Sequence, residues 1–276
     1  MREGFSASTP PVAKPSRGPV DTPLLWHIPL SHFNEKARWA LDYKGIAHRR
    51  QVLGPDYLVR AWRATGQGKL PILFLDGRAI SDSTRIIAAL EERYKERPLY
   101  PCEPALRKRA LELEDDFDET LGPALRASII TPIFRQDRDL ALRLLTTGMP
   151  EAAYRRLRSV ARIFAAFYRF RHKISDRRLE NDRSAVSAAL DRIDRERDGR
   201  AYLVGTSFTV ADLTAASLLS PLLQPPEIQY QLRVELPPDI QDYRSVLLRH
   251  PAALWALDIY REHRGSSMEV RQKAPP

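Results

Sequence analysis

Strand signals in this chain are confined to one short stretch near its beginning, and that confinement limits the fold more than any other feature. Leu24-Leu25-Trp26-His27-Ile28 is an apolar run of strand length, and His48 to Leu53 is a second candidate. Pro71 to Leu75 and Arg78 to Ile80, joined by the turn Asp76-Gly77, read as a hairpin. Helical patterns separate these runs. Phe33, Ala37, Ala40 and Leu41 recur at helical spacing as far as Lys44, where Gly45 is placed to end the helix as a C′ residue. A short helix is expected around Asp56 to Ala64. An amphipathic helix is expected from Ser83 to Tyr94, with Ile86, Ile87, Leu90 and Tyr94 inward. The order is β-α-β-α-β-β-α.

A βαβ crossover followed by a ββα unit is a thioredoxin-like layout. After Glu96 to Pro104, where Pro98, Pro101 and Pro104 mark a linker, strand signal almost vanishes. Helical patterns run over 105–125, about 136–145, 151–174, 184–197, 210–223 and 252–263, and no internal repeat is visible. The expected class is an α+β thioredoxin-like domain followed by an all-α helical bundle. The expected boundaries are a disordered leader at 1–23, the first domain at 24–97, a linker at 98–104, the helical domain at 105–264 and a disordered tail at 265–276. The leader is rich in Pro, Ser, Gly and Thr and has no apolar core of a secretory signal.

Composition excludes several chemistries. The single cysteine, Cys102, permits no intramolecular disulfide, no Cys-x-x-Cys redox pair and no cysteine zinc cage. No metal site is expected, and cysteine usage suits a reducing, cytoplasmic setting. The longest apolar run, Leu213 to Leu223, is too short to cross a membrane. The net charge of +9 is spread among acids, which is the pattern of solvated helix faces. One stretch, Tyr154 to Lys173, mixes Arg155, Arg156, Arg158, Arg162, Arg169 and Arg171 with Phe164, Phe167, Tyr168 and Phe170. That mixture suits either a core helix with a basic outer side or a surface for nucleic acid or anionic membrane.

Two local patterns carry chemistry. Pro71 opens a strand after Lys69-Leu70, where a proline is tolerated because it need not donate. Ser81-Asp82-Ser83-Thr84 precedes a helix as an N-cap cluster, and an exposed helix N-terminus also binds anions. A carboxylate at Asp82 beside it could hold an ammonium, so the pair suits the α-amino acid end of a γ-glutamyl group.

These patterns resemble the glutathione S-transferases. Leu70-Pro71, the hairpin and Asp82-Ser83 resemble the Val-Pro…Glu-Ser pattern of that superfamily, and Ser31-x-Phe33-x-x-Lys36-Ala37-Arg38-Trp39-Ala40-Leu41 resembles its first helix. Tyr202 to Asp212 resembles its second-domain capping segment, in which Thr209 and Asp212 form a capping box with Phe208 and Leu213 as hydrophobic staple. His250-Pro251-Ala252-Ala253-Leu254-Trp255 is also typical. The resemblance runs from Leu24 to about Arg264 and points to a Ser-type, theta-, zeta- or omega-like cytosolic class. It departs at Leu70 for Val, Asp82 for Glu, His32 for Pro, Asn34 for Ser or Cys, and in a long basic segment over 135–182.

The resemblance implies glutathione as thiol co-substrate, a small electrophile, a homodimer built on the helices after Ser83 and from Ala105, and a role in detoxification. It implies a cis Leu70–Pro71 bond, with Leu70, Pro71, Asp82 and Ser83 holding the thiol peptide and Lys69 or Arg60 its glycyl carboxylate. Ser31 matches the catalytic serine, and a serine there implies conjugation or isomerisation. A hydroxyl at a helix start offers a thiolate both a hydrogen bond and the positive dipole end; the competing reading of Ser31 is an N-cap alone. His27, at the end of the first strand, and Asn34 are the other catalytic candidates. The electrophile pocket is expected between the two domains, lined from the helices of 105–125 and 151–174. The alternative function is a binding module that kept the fold without turnover.

Overall fold

A computed structural model describes residues 22–270, leaving out 55, 161, 164, 165, 167–169, 171–175 and 233. The first half contains β1 (Leu24–His27), α1 (His32–Tyr43), β2 (Arg49–Val52), α2 (Tyr57–Thr65), β3 (Ile72–Leu75), β4 (Arg78–Ser81) and α3 (Ser83–Arg93). β1 runs parallel to β2, with Leu24 opposite Arg49, and antiparallel to β3, with Leu25 opposite Leu73. The sheet order is β2-β1-β3-β4. A parallel pair needs a crossover, which α1 supplies. Gly45 ends that crossover helix at φ +68°, and Asp76 and Gly77, both at positive φ, turn the β3–β4 hairpin.

The second half is helical: α4 (Pro104–Glu119), α5 (Leu121–Gln136), α6 (Arg138–Leu145), α7 (Glu151–Ser159), α8 (Asp176–Arg197), α9 (Val210–Leu223), α10 (Pro238–Leu247) and α11 (Pro251–His263). This is the expected thioredoxin-like domain with a helical partner. Two elements differ from expectation. Residues 126–135, expected to connect helices, lie inside α5, where Pro132 hides a helix that buries Ile133 and Phe134. α10 was not expected, because its apolar stripe is thin: Ile240 and Leu247 are its buried residues.

The helix expected over 151–174 is α7 as far as Ser159. Arg155, Arg156, Arg158, Arg162 and Phe170 are exposed, while Phe164, Phe167, Tyr168, Arg169 and Arg171 lie outside the described residues. Residues 1–21 of the leader and 271–276 of the tail also lie outside them. The earlier part of the tail is held in place: Met268 N–H donates to Asp42 Oδ1 at 2.8 Å and Val270 N–H to the His48 carbonyl at 2.8 Å. No helix among the described residues is long and apolar enough to cross a membrane.

α1 explains how the halves join. Its apolar residues Ala37, Trp39, Ala40 and Leu41 are fully buried, and so are Lys36 and Arg38. Trp39 lies against Tyr260 of α11, ring centroids 4.3 Å apart, and stacks on Phe208 at 5.8 Å. The helix is therefore covered on both faces, and its charged side chains answer to internal partners rather than to water. The apolar stripes of both halves meet in one continuous core.

The start of α9 follows its sequence signal. Asp212 accepts from Thr209 N–H (2.8 Å), Thr209 Oγ1 (2.8 Å) and Leu203 N–H (2.7 Å). Pro221, inside α9, cannot donate to the Ser217 carbonyl, and the Ser220 hydroxyl takes that acceptor at 2.8 Å.

Candidate active site

The turn between β1 and α1 is closed by a small hydrogen-bond ring. Ile28 N–H donates to Asn34 Oδ1 at 3.1 Å, Asn34 Nδ2 donates to Ser31 Oγ at 2.7 Å, and Ser31 N–H donates to the Ile28 carbonyl at 3.3 Å. The backbone donor at Oδ1 fixes the amide so that Nδ2 faces the serine. Ser31 occupies the N-cap position of α1 yet makes no side-chain capping bond. With Oγ already accepting from Asn34, the serine proton is left to donate to something outside the turn.

Ser31 lines a cavity of about 940 Å³ between the two halves. Lys69, Leu70, Pro71, Asp82 and Ser83 line the same cavity, and the Leu70–Pro71 bond is cis. Asp82 sits at φ +82°, a conformation that costs a non-glycine residue about 1–3 kcal/mol, and caps α3 with Oδ1 alone, accepting from Thr84 N–H at 3.0 Å. Its Oδ2 has no partner among the described residues. The adjoining helix end carries a second acid that sequence reasoning missed. Lys36 of α1, wholly buried, pairs with Glu114 at 2.8 Å and with Asp118 Oδ2 at 2.6 Å, both on α4, and touches Thr84 Oγ1 at 3.1 Å. Burial opposes the Lys36 charge, but the two carboxylates outweigh it and raise its pKa. Asp118 Oδ1 is buried without a hydrogen bond, and Asp118 lines the cavity.

Two candidates are placed elsewhere. Arg60 lies over the Trp26 ring at 4.8 Å and is not part of the cavity wall. His27 is fully buried outside that wall, where its Nδ1 accepts from Arg38 at 2.9 Å. Burial, and then the charges of Arg38 and Arg50, push the His27 pKa down to about 2. It is a neutral packing group under the turn. His32 is also buried, and burial with the Arg126 charge pushes it down to about 3.

The helical half also supplies a run of apolar wall. α5 gives Ile129, Ile130, Ile133 and Phe134, α6 gives Leu144 and Leu145, and the segment after α9 gives Ile228, Leu232 and Leu236. α4 and α7 contribute to the wall as expected, through Asp118 and Leu157, but α5 is its main apolar component. The 224–236 segment was missed because it has no periodicity to read. Phe33 lies against Gly122 of α5 so closely that a Cβ there would stand 2.5 Å from its ring. Both halves mix the two characters: Asp115, Asp118, Glu119 and Arg126 come from the helices, and Phe33, Leu53 and Leu70 from the thioredoxin-like half. Among the described residues no three His, Cys, Asp or Glu group as metal ligands would.

Residues 25–98 match the family model of the glutathione S-transferase N-terminal domain, and residues 160–251 match that of the C-terminal domain. No curated protein matches the chain. Among solved structures, the fold is similar to a glutathione S-transferase from Xanthobacter autotrophicus Py2, with 18% identity, 87% of this chain and 93% of that chain covered, and a TM-score of 0.57. It is similar to the beta-etherase LigF from Sphingobium sp. strain SYK-6 at 18% identity, covering 86% and 99%, with a TM-score of 0.56. It is also similar to a glutathione S-transferase from Methylobacterium radiotolerans in complex with glutathione sulfonate, at 22% identity, covering 92% and 98%, with a TM-score of 0.52. With both domain types matched in order along one chain, the protein belongs to the glutathione S-transferase superfamily.

Proposed function

We propose that this protein binds glutathione and activates its thiol for conjugation to, or isomerisation of, a small apolar electrophile. The observation that carries the reading is the Ser31 hydroxyl, occupied as an acceptor by Asn34 and left as a donor on the cavity wall. In this reading the Leu70 backbone pairs with the thiol peptide ahead of Pro71. The γ-glutamyl carboxylate meets Ser83 at the N-terminus of α3, where the positive end of the helix dipole favours an anion. Its ammonium lies between Asp82 Oδ2 and Asp118 Oδ1, and Lys69 faces the glycyl carboxylate. The glutathione thiol, near pKa 8.5 in water, gives its proton to solvent, and the Ser31 O–H donates to the thiolate left behind. The electrophile occupies the wall of α5, α6 and residues 228–236.

Calorimetric titration of glutathione into the protein tests the binding half. Saturable binding is expected, with Lys69→Ala weakening it roughly tenfold, as loss of one charge-assisted hydrogen bond would. Absence of saturable binding at millimolar glutathione would contradict the reading. Binding without turnover of an activated electrophile would leave a binding module instead.

Family membership also supports a homodimer through α3 and α4 and a role in detoxification. The outward residues of these helices include Arg85, Glu92, Lys108 and Glu112, and no large exposed hydrophobic residue among those described belongs to them. The interface would then be polar, so light scattering should show twice the chain mass at low salt and a shift toward monomer at high salt. A monomer at low salt would count against it.

A further inference from the structure

Arg38 is wholly buried, yet its guanidinium is committed to the turn that carries Ser31. Its Nη2 donates to the Pro29 carbonyl at 2.8 Å, and its Nη1 donates to the Ile28 carbonyl at 3.3 Å and to His27 Nδ1 at 2.9 Å. The Ile28 carbonyl is the group that also accepts from Ser31 N–H. On its other side Arg38 Nε donates to Glu35 at 3.0 Å, and Glu35 accepts from Arg264, at the end of α11, at 2.6 Å. Tyr230, from the segment after α9, covers the guanidinium at 4.8 Å. Arg264 and Arg50 of β2 share Asp42, with His48 beside them. Three guanidinium groups (Arg38, Arg50 and Arg264) therefore face two carboxylates (Glu35 and Asp42) beneath the turn.

We infer that Arg38 is a positioning residue for thiol activation: its fork holds the Ile28 and Pro29 carbonyls so that Ser31 presents its hydroxyl, and Glu35 with Arg264 latches that turn to the last helix of the second domain. The inference rests on the glutathione reading above. A lysine at position 38 keeps the charge but is a single donor point that cannot span both carbonyls, His27 and Glu35. Charge and positioning are therefore separable.

The experiment is ultraviolet titration of the thiolate of bound glutathione against pH, with steady-state kinetics, for wild type, Arg38→Lys and the double variant Glu35→Gln/Arg38→Met. The double variant removes both members of a buried pair, so it leaves no lone charge at position 35 or 38 if the lysine variant fails to fold. Wild type should show a bound-thiol pKa below that of free glutathione. Either folded variant should raise it by about one unit, a roughly tenfold loss of thiolate at pH below both values, with kcat falling and the KM for glutathione within about twofold. Folded variants that titrate as wild type does would overturn the inference and leave the glutathione reading standing. A wild-type protein that binds glutathione without lowering its thiol pKa would overturn both.

Discussion

At the scale of single residues, the buried histidines set a measurable pH response. His48 donates from Nδ1 to the Ile46 carbonyl and accepts at Nε2 from Arg50, a pattern open only to the neutral ring. Burial and then Arg50 push its pKa down to about 4, while His27 lies at about 2 and His32 at about 3, against an ordinary 6.5. The folded rings stay neutral, whereas the unfolded chain takes up protons below pH 6.5. Stability is therefore present above that pH and is lost as pH falls from about 6.5 toward 4, by up to about 1.4 kcal/mol per pH unit for each histidine. Asp212 works in the opposite sense. Burial raises its carboxyl pKa to about 6 despite the hydrogen bonds it accepts, so it favours the fold as pH falls from about 6 to 3.8. These three histidines and Asp212 together contribute a net uptake of about two protons on unfolding near pH 5; His263, also lowered by burial, adds to it, and Glu114, raised by burial, subtracts from it. Urea unfolding should show stability falling steeply from pH 6.5 to 5, and His48→Gln should flatten the slope by about one proton. A flat profile between these values would contradict the burial assigned to the three rings.

The elements show where sequence patterns are sufficient. α9 is legible from both its cap and its apolar run, because Thr209 and Asp212 act within one turn. Asp212→Ala would leave the N–H groups of Thr209 and Leu203 buried and unpaired, at about 1–3 kcal/mol each. A loss of about 2–5 kcal/mol is expected in chemical denaturation, with Asp212→Asn losing roughly half as much because it keeps one acceptor. A change below about 0.5 kcal/mol would mean that the cap does not hold the helix. The hairpin at Asp76-Gly77 and the stop at Gly45 were equally legible, since both depend on local backbone chemistry. α1 was legible as a helix but not as an interior one. Glu35, Lys36, Arg38 and Asp42 have the look of a solvated face, and their partners Asp118, Arg264 and Arg50 come from three other elements. The expected helix 105–125 ran across the α4–α5 break and stopped short of most of α5, and the 224–236 wall has no period at all.

For the whole molecule, the order of strands and helices was enough to give the two-part architecture, because the register of one small sheet and the length of the helical half leave few alternatives. The position of Ser31, Leu70, Pro71, Asp82 and Ser83 around one cavity was readable from motif order. The placement of His27 and Arg60 outside the cavity wall was not, since burial and direction are tertiary properties. In the proposed function Ser31 is a thiolate donor and not only a cap. Ser31 makes no capping bond, but its Oγ accepts from the buried Asn34 Nδ2, so Ser31→Ala should cost about 1–3 kcal/mol of stability in a protein that still folds. If its hydroxyl bonds the thiolate, the same substitution should raise the pKa of bound glutathione by about one to two units, the equivalent of one charge-assisted hydrogen bond. Thiolate absorbance of bound glutathione against pH, in wild type and folded Ser31→Ala, decides the matter: the predicted result is that upward shift, and an identical titration in the two proteins would contradict it.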